Sequence, residues 1–286
     1  MAASALLSGC AGTSQAASFG SFGHVHAIEM DVQAGVLYVA SHHGVWEVAV
    51  PDSAGGFPQH GSVEPRQVAD RAQDTMGFTI TADGAMFASG HPDPAEYPDF
   101  NPPNLGLIRS TDGAETWDHI SLQEEADFHA LEAVALDDSK FRIYGYDSTA
   151  GMLRISDDTG ESWRVGADLD AFDLASTVGE PGVLYATTPT GLQRSVDAGM
   201  TFAPFHPEST LALIEPLASG LVGVDSAGKI WHQVGDSLTK GGSVNGQFDA
   251  FGAFENGDDT WLLISDESGI GVSKDWGETW TNVVAR

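Results

Sequence analysis

The sequence predicts an all-β fold, a β-propeller built of four-stranded blades. Two observations predict it: short apolar strands recur in phase along the chain, and a separate Asp- and Gly-containing motif punctuates them. No segment carries the sustained 3.6-residue apolar period of a long helix.

The strands recur as Gly35-Val-Leu-Tyr-Val-Ala-Ser41, Ala85-Met-Phe-Ala-Ser-Gly90, Phe141-Arg-Ile-Tyr-Gly-Tyr146, Gly182-Val-Leu-Tyr-Ala-Thr-Thr188, Gly220-Leu-Val-Gly-Val-Asp225 and Thr260-Trp-Leu-Leu-Ile-Ser265. A second strand follows each after a turn or loop, beginning at Gly44, Gly106, Gly151, Gly191, Gly228 and Gly269, so each pair reads as a β-hairpin. A further strand-like segment precedes each pair, starting near His26, Met76, His129, Phe172, Leu211 and Phe248, and another follows most of them. Dividing residues 23–286 into six units gives about 44 residues each, close to the period of a four-stranded blade. Six blades are therefore expected, with seven as the alternative if the ends contribute an extra sheet.

Composition bounds the partners. The 286 residues carry 41 Asp plus Glu against 12 Lys plus Arg, a formal charge of −29. A nucleic-acid binder needs a basic face to displace counterions from phosphates, and so few cations cannot supply one. An acidic surface instead keeps the chain soluble and gathers cations. Cys10 is the single cysteine, so neither an internal disulfide nor a cysteine-based zinc cluster can form. Leu7-Ser8-Gly9-Cys10 resembles the bacterial lipobox, which implies lipidation at Cys10. Residues 1–10 are read as the remnant of a signal peptide, 11–22 as a small-residue tether and 23–286 as one propeller domain. The expected location is the cell envelope, lipid-anchored at the outer face of the cytoplasmic membrane or secreted, and the expected state is a monomer.

The punctuating motif is Ser-x-Asp-x-Gly-x-(Ser/Thr)-aromatic. It appears as Ser156-Asp-Asp-Thr-Gly-Glu-Ser-Trp163, Ser195-Val-Asp-Ala-Gly-Met-Thr-Phe202 and Ser273-Lys-Asp-Trp-Gly-Glu-Thr-Trp280. A fourth copy, Ser110-Thr-Asp-Gly-Ala-Glu-Thr-Trp117, carries Ala114 where Gly is usual. The copies start at 110, 156, 195 and 273, so the last interval is twice the one before it, and one copy is missing from the fifth blade near His232. These motifs resemble the Asp-box, or BNR repeat, of the sialidase-like propellers, a group that includes bacterial lipoproteins labelled glycosylhydrolase-like. The resemblance implies that the boxes sit between third and fourth strands, on the face opposite the active site. Their chemistry points the same way: the Asp accepts turn amides, the Gly takes positive φ, and the aromatic ring packs between sheets. Asp112, Asp158, Asp197 and Asp275 are accordingly structural.

Ligands of propellers usually bind over the central channel, where the loops entering the inner strands meet those joining second strands to third. Blade one places His24, His26, His42 and His43 there, blade two His91 and Met76, and blade three His129. The pattern His-Ala-aliphatic-Glu occurs twice, at His26–Glu29 and His129–Glu132. Imidazoles from several blades pointing inward suit a transition metal, copper or zinc, with His24, His26, His42, His91 and His129 as candidate ligands. Met76 is a candidate soft ligand favouring copper. Asp74, Asp93 and Asp127 stand nearby in sequence as hard ligands or as groups that orient the rings. Between blades two and three the segment 91–104 is proline-rich and too long for a hairpin turn, and Tyr97 and Phe100 could wall a pocket or form a partner surface.

The family resemblance also implies a glycoside hydrolase. Sialidase chemistry requires three arginines on the substrate carboxylate together with a Tyr nucleophile. Here Arg109, Arg154 and Arg194 all lie beside Asp-boxes, on the wrong face, so classical sialidase activity is not expected. Another glycosidase would need two carboxyls roughly 5 to 10 Å apart. The catalytic candidates on the upper face are Asp93, Asp127 and Asp147. The reading favoured over a hydrolase is a surface propeller that binds a metal ion, a glycan or a protein.

Overall fold

The structure is a computed structural model that describes residues 22–50, 57, 63–101 and 103–285. The lipobox-like segment with Cys10 and nearly all of the tether lie outside the described residues.

Six four-stranded antiparallel sheets follow one another along the chain. Blade one comprises β1 (Val25–Asp31), β2 (Val36–Ser41), β3 (Gly44–Ala49) and β4 (Arg66–Gln67), and blade two β5 (Asp74–Ile80), β6 (Met86–His91), β7 (Leu107–Ser110) and β8 (Asp118–Ser121). Blade three contains β9 (Phe128–Ala135), β10 (Phe141–Asp147), β11 (Met152–Ser156) and β12 (Arg164–Val165). Blade four is made of β13 (Asp173–Thr177), β14 (Glu180–Thr188), β15 (Gly191–Ser195) and β16 (Ala203–Pro204). Blade five holds β17 (Leu211–Leu217), β18 (Gly220–Asp225), β19 (Lys229–Val234) and β20 (Ser237–Ser243), and blade six β21 (Phe248–Asn256), β22 (Asp259–Asp266), β23 (Gly269–Ser273) and β24 (Thr281–Ala285). The first strands β1, β5, β9, β13, β17 and β21 touch in succession, and β21 returns to β1, so six blades close a ring around a central channel. The expected fold class and blade number both hold.

The core is divided into six clusters, one at each blade-to-blade seam. This follows from the layering: the inner strands of each blade carry apolar side chains on both faces, and each face is covered by the neighbouring blade on that side. Among the described residues all four strands of blade six come from the C-terminal segment, so side chains close the ring there without an exchanged strand. At that seam Phe22, Val25 and Ile28 pack with Phe254, Leu263 and Val284, and Phe22 meets Trp46 edge-on at 5.1 Å. Covering a phenylalanine fully in this way is worth about 2 kcal/mol or more.

The Asp-boxes perform the structural task read from sequence. In the third-blade box Ser156 Oγ donates to Asp158 Oδ1 at 2.8 Å and accepts the Gly160 amide at 2.8 Å. Asp158 also accepts the Ser162 amide at 2.8 Å. The other three boxes repeat these bonds. Two consecutive residues of each box take positive φ, such as Thr159 at 63° and Gly160 at 91°. In the first box glycine has moved one place, to Gly113 at 75°, which leaves Ala114 at 67°. Blade five lacks the box: a short turn joins β19 to β20, and His232 stacks on Trp276 at 4.1 Å.

Candidate functional site

Irregularities in the inner strands aim the side chains at the channel mouth. In β1 the pairing skips between Val25 and Ala27, which leaves His26 as an extra, unpaired residue. His129 occupies the same kind of bulge in β9, and Asp249 does so in β21. A bulge bends the strand and re-aims the inserted residue. Three first strands thus turn a polar group toward the mouth while their flanking residues stay in the seams.

Two carboxylates organise the site. Asp74, the first residue of β5, lies 3.2 Å from His26 Nε2 and 4.0 Å from His42 Nε2 through Oδ1. Its Oδ2 faces His91 Nδ1 at 3.3 Å. Asp127, just before β9, places Oδ2 2.9 Å from His129 Nε2 and 3.5 Å from His91 Nε2. His24 extends the cluster: its ring lies 4.8 Å from that of His26 and 5.5 Å from that of His42, and its Nδ1 meets Asp249 Oδ1 at 3.3 Å. Donor atoms of His26, His42 and Asp74 all lie within 4.8 Å of one another, an arrangement that could hold a metal ion.

The electrostatics follow from this packing. Burial lowers the His26 pKa, and the neighbouring Asp74 only partly opposes it, so the ring is neutral at pH 7 and carries a lone pair. Burial disfavours an ionised Asp74, yet the His91 bond and the close imidazoles of His26 and His42 outweigh it and hold the carboxyl well below the usual range. Asp127 is depressed in the same way, against its burial, by His129 and His91. Held by Asp127 and Asp74 together, His91 is pushed up to about 10. The 3.2 Å contact of His26 Nε2 with Asp74 Oδ1 lies off the line of a hydrogen bond, and both buried atoms lack any hydrogen-bond partner.

Five of the six predicted metal ligands come together: His24, His26, His42, His91 and His129. Met76, two residues beyond Asp74 in an irregular stretch of β5, packs its side chain against Gly90. Of the catalytic candidates, only Asp127 stands among the imidazoles. Asp147 is fully buried, bonded to Arg154 Nε at 2.8 Å and to the amides of Asp127 and Thr149, so its carboxylate is consumed in holding its turn. Asp93 accepts the Ala95 amide at 2.8 Å and the Ala72 amide at 3.4 Å, which fixes the root of the 91–104 segment. That segment does not wall the mouth with its rings: Tyr97 packs on Phe100 and on His119 of the outermost strand β8, with Tyr97 Oη 3.2 Å from His119 Nε2. Among the described residues the arginines form no triad. Arg109 lies over Phe87, Arg194 over Tyr185 and Phe205, and Arg154 on Asp147.

Similar structures share this frame. No family model and no curated protein matches the chain. Among solved structures, an ancestral GH74 enzyme is similar at 12% identity and a TM-score of 0.54, over 92% of this chain and 39% of that one. YCF48 bound to D1 peptide is similar at 15% identity and a TM-score of 0.54, over 94% of this chain and 84% of that one. A catalytically inactive virginiamycin B lyase from Staphylococcus aureus, with quinupristin, matches at 13% identity and a TM-score of 0.55, over 92% and 85% of the two chains. This chain spans about two fifths of the GH74 enzymes' length. At such identities the likeness is one of fold, and a fold hosts many functions.

Below the mouth lies a group not singled out from the sequence. Glu29, Glu132 and Glu215, from the inner strands of blades one, three and five, line a cavity of about 560 Å³ that runs toward the box face. Asp173 of β13 lies close enough to raise their pKa values by its charge. Glu29 and Glu215 are half-buried against the channel cavity, and burial followed by repulsion from neighbouring carboxylates pushes both well above the usual range. The doubled His-Ala-aliphatic-Glu pattern held the signal for two of the three, because three residues beyond each bulge bring the Glu back to the channel wall.

Proposed function

We propose that this chain is a ligand-binding propeller whose working site is a transition-metal position at the channel mouth, held by His26, His42 and Asp74. The observation that carries this reading is the pair of buried, misaligned atoms His26 Nε2 and Asp74 Oδ1. Two polar atoms that are removed from water yet make no hydrogen bond cost free energy unless a third group satisfies both. A cation between them would do so, and His42 Nε2 supplies a third donor. Two imidazoles and a carboxylate suit zinc or copper(II). Three protein ligands leave coordination positions free, so an external ligand could complete the shell. The metal would supply Lewis acidity there; the chain supplies a neutral His26 and an ionised Asp74 before the ion arrives.

Glycans and proteins are the candidate outer ligands. The glycoside-hydrolase reading rests on the GH74 neighbours and the Asp-box resemblance, whereas the arginine placement speaks against sialidase chemistry. The test is elemental analysis after dialysis against Zn(II) or Cu(II) and removal of unbound metal. Wild-type protein should retain metal stoichiometrically, and the His26→Ala, His42→Ala double variant should lose the equivalent bound at this position while keeping its β-rich circular dichroism. Undiminished retention by that variant would sink the proposal.

A further inference from the structure

One ion on His26, His42 and Asp74 leaves much of the mouth unused. Asp127, His129, His91 and the His24–Asp249 pair remain, although a tetrahedral ion needs only four ligands. The remainder has an order of its own. Asp74 and Asp127 occupy matching places at the heads of the inner strands of neighbouring blades, and each gathers imidazoles through one oxygen. Asp74 Oδ1 faces His26 and His42 at 3.2 and 4.0 Å, whereas Asp127 Oδ2 faces His129 and His91 at 2.9 and 3.5 Å.

We propose that the mouth is a two-metal site, with the second transition-metal ion held by Asp127, His129 and His91 beside the first. The proposal rests on the first position being a metal site. Three observations support it independently of the residues used there, and a fourth links the two positions.

Asp127 Oδ1 is buried and has no hydrogen-bond partner, in a side chain only 7% exposed. A carboxylate oxygen sequestered in this way, on a group that also faces two imidazoles, is an unsatisfied acceptor that a cation can complete. Ser148 Oγ donates to Asp127 Oδ2 at 3.1 Å, the kind of outer contact that orients a ligating carboxylate. The rings of His91 and His129 are 38% and 43% exposed, so both can turn from the shared oxygen to an ion beside it without disturbing a seam. His91 finally presents Nδ1 to Asp74 and Nε2 to Asp127, so one imidazole width joins the two positions.

Charge also favours a pair of ions. Asp74, Asp127 and Asp249 bring three carboxylates to one opening in a chain of net charge −29. One divalent ion on Asp74 would leave the partly desolvated Asp127 carboxylate without a metal counter-charge. A second ion beside Asp127 supplies that counter-charge directly.

The experiment is metal stoichiometry on the full chain with Zn(II) alone and, separately, Cu(II) alone, compared across variants at exposed rings. Wild type should retain two equivalents, His129→Ala one, His42→Ala one, and the His42→Ala, His129→Ala double variant none. Asp127→Asn serves as a second probe of the same position and should also retain one; circular dichroism reports whether each variant is folded. Two equivalents that His129→Ala and Asp127→Asn leave untouched would overturn the proposal. So would one equivalent in wild type that His42→Ala removes and His129→Ala does not, and in that case the first position stands. Retention of no metal by wild type removes both positions together.

Discussion

Glu132 shows how one residue can report on the channel. Its side chain is only 8% exposed and accepts the Ser176 hydroxyl, and burial pushes its pKa up to about 7 despite that bond. Asp173, also enclosed, is pushed up to about 7 against the amides of Ile214 and Leu174. The sign of the effect on stability follows from linkage. Below the ordinary Glu range both folded and unfolded chains hold the proton and nothing is lost. As pH rises from about 4.3 toward 7, the unfolded chain releases the proton while the folded chain keeps it, so stability falls across that window and then levels. For Glu132 the loss is on the order of 3 kcal/mol. The urea midpoint should therefore be higher at pH 5 than at pH 8, and Glu132→Gln should reduce that difference. An equally steep profile in that variant would mean that Glu132 does not carry the effect.

Elements divide the work between the two faces. On the box face the Ser–Asp bonds satisfy turn amides and the box glycine removes a clash: a Cβ on Gly160 would meet Leu107 Cδ2 at 2.0 Å, at a φ of 91°. Gly160→Ala should lower stability by about 2 kcal/mol or more, through strain at positive φ added to overpacking. Thermal denaturation within a few tenths of a degree of wild type would argue that the turn relaxes freely. At the mouth, bulges in β1, β9 and β21 trade ladder regularity for side-chain direction, which is how His26, His129 and Asp249 leave the sheets. Box residues were legible because their partners lie within the motif. The bulges were not, since alternation alone assumes one residue opposite one. The pairing of Asp147 was hidden for a related reason: its partner Arg154 lies across a turn on the next strand, and only the register brings them together.

For the whole molecule, a charge of −29 on a single ring implies self-repulsion that ions in solution relieve. Raising NaCl from about 0.02 to 0.5 M shortens the screening length to a few ångströms and should raise the melting temperature. A fall in melting temperature with salt would show that ion pairs such as Arg66–Glu47 and Arg71–Glu96 outweigh the repulsion. The sequence by itself determined the blade and how often it repeats. Strand alternation, hairpin turns and Ser–Asp caps all act within one unit of about 44 residues, so a single unit carries their whole signal. Only the tertiary structure decided the site. His24 and His129 stand more than a hundred residues apart, and Asp74, His91 and Asp127 acquire chemical meaning only when ring closure sets three blades around one opening. The same closure decided which carboxylates are scaffold and which face the channel, because burial and neighbouring charge are properties of the assembled ring.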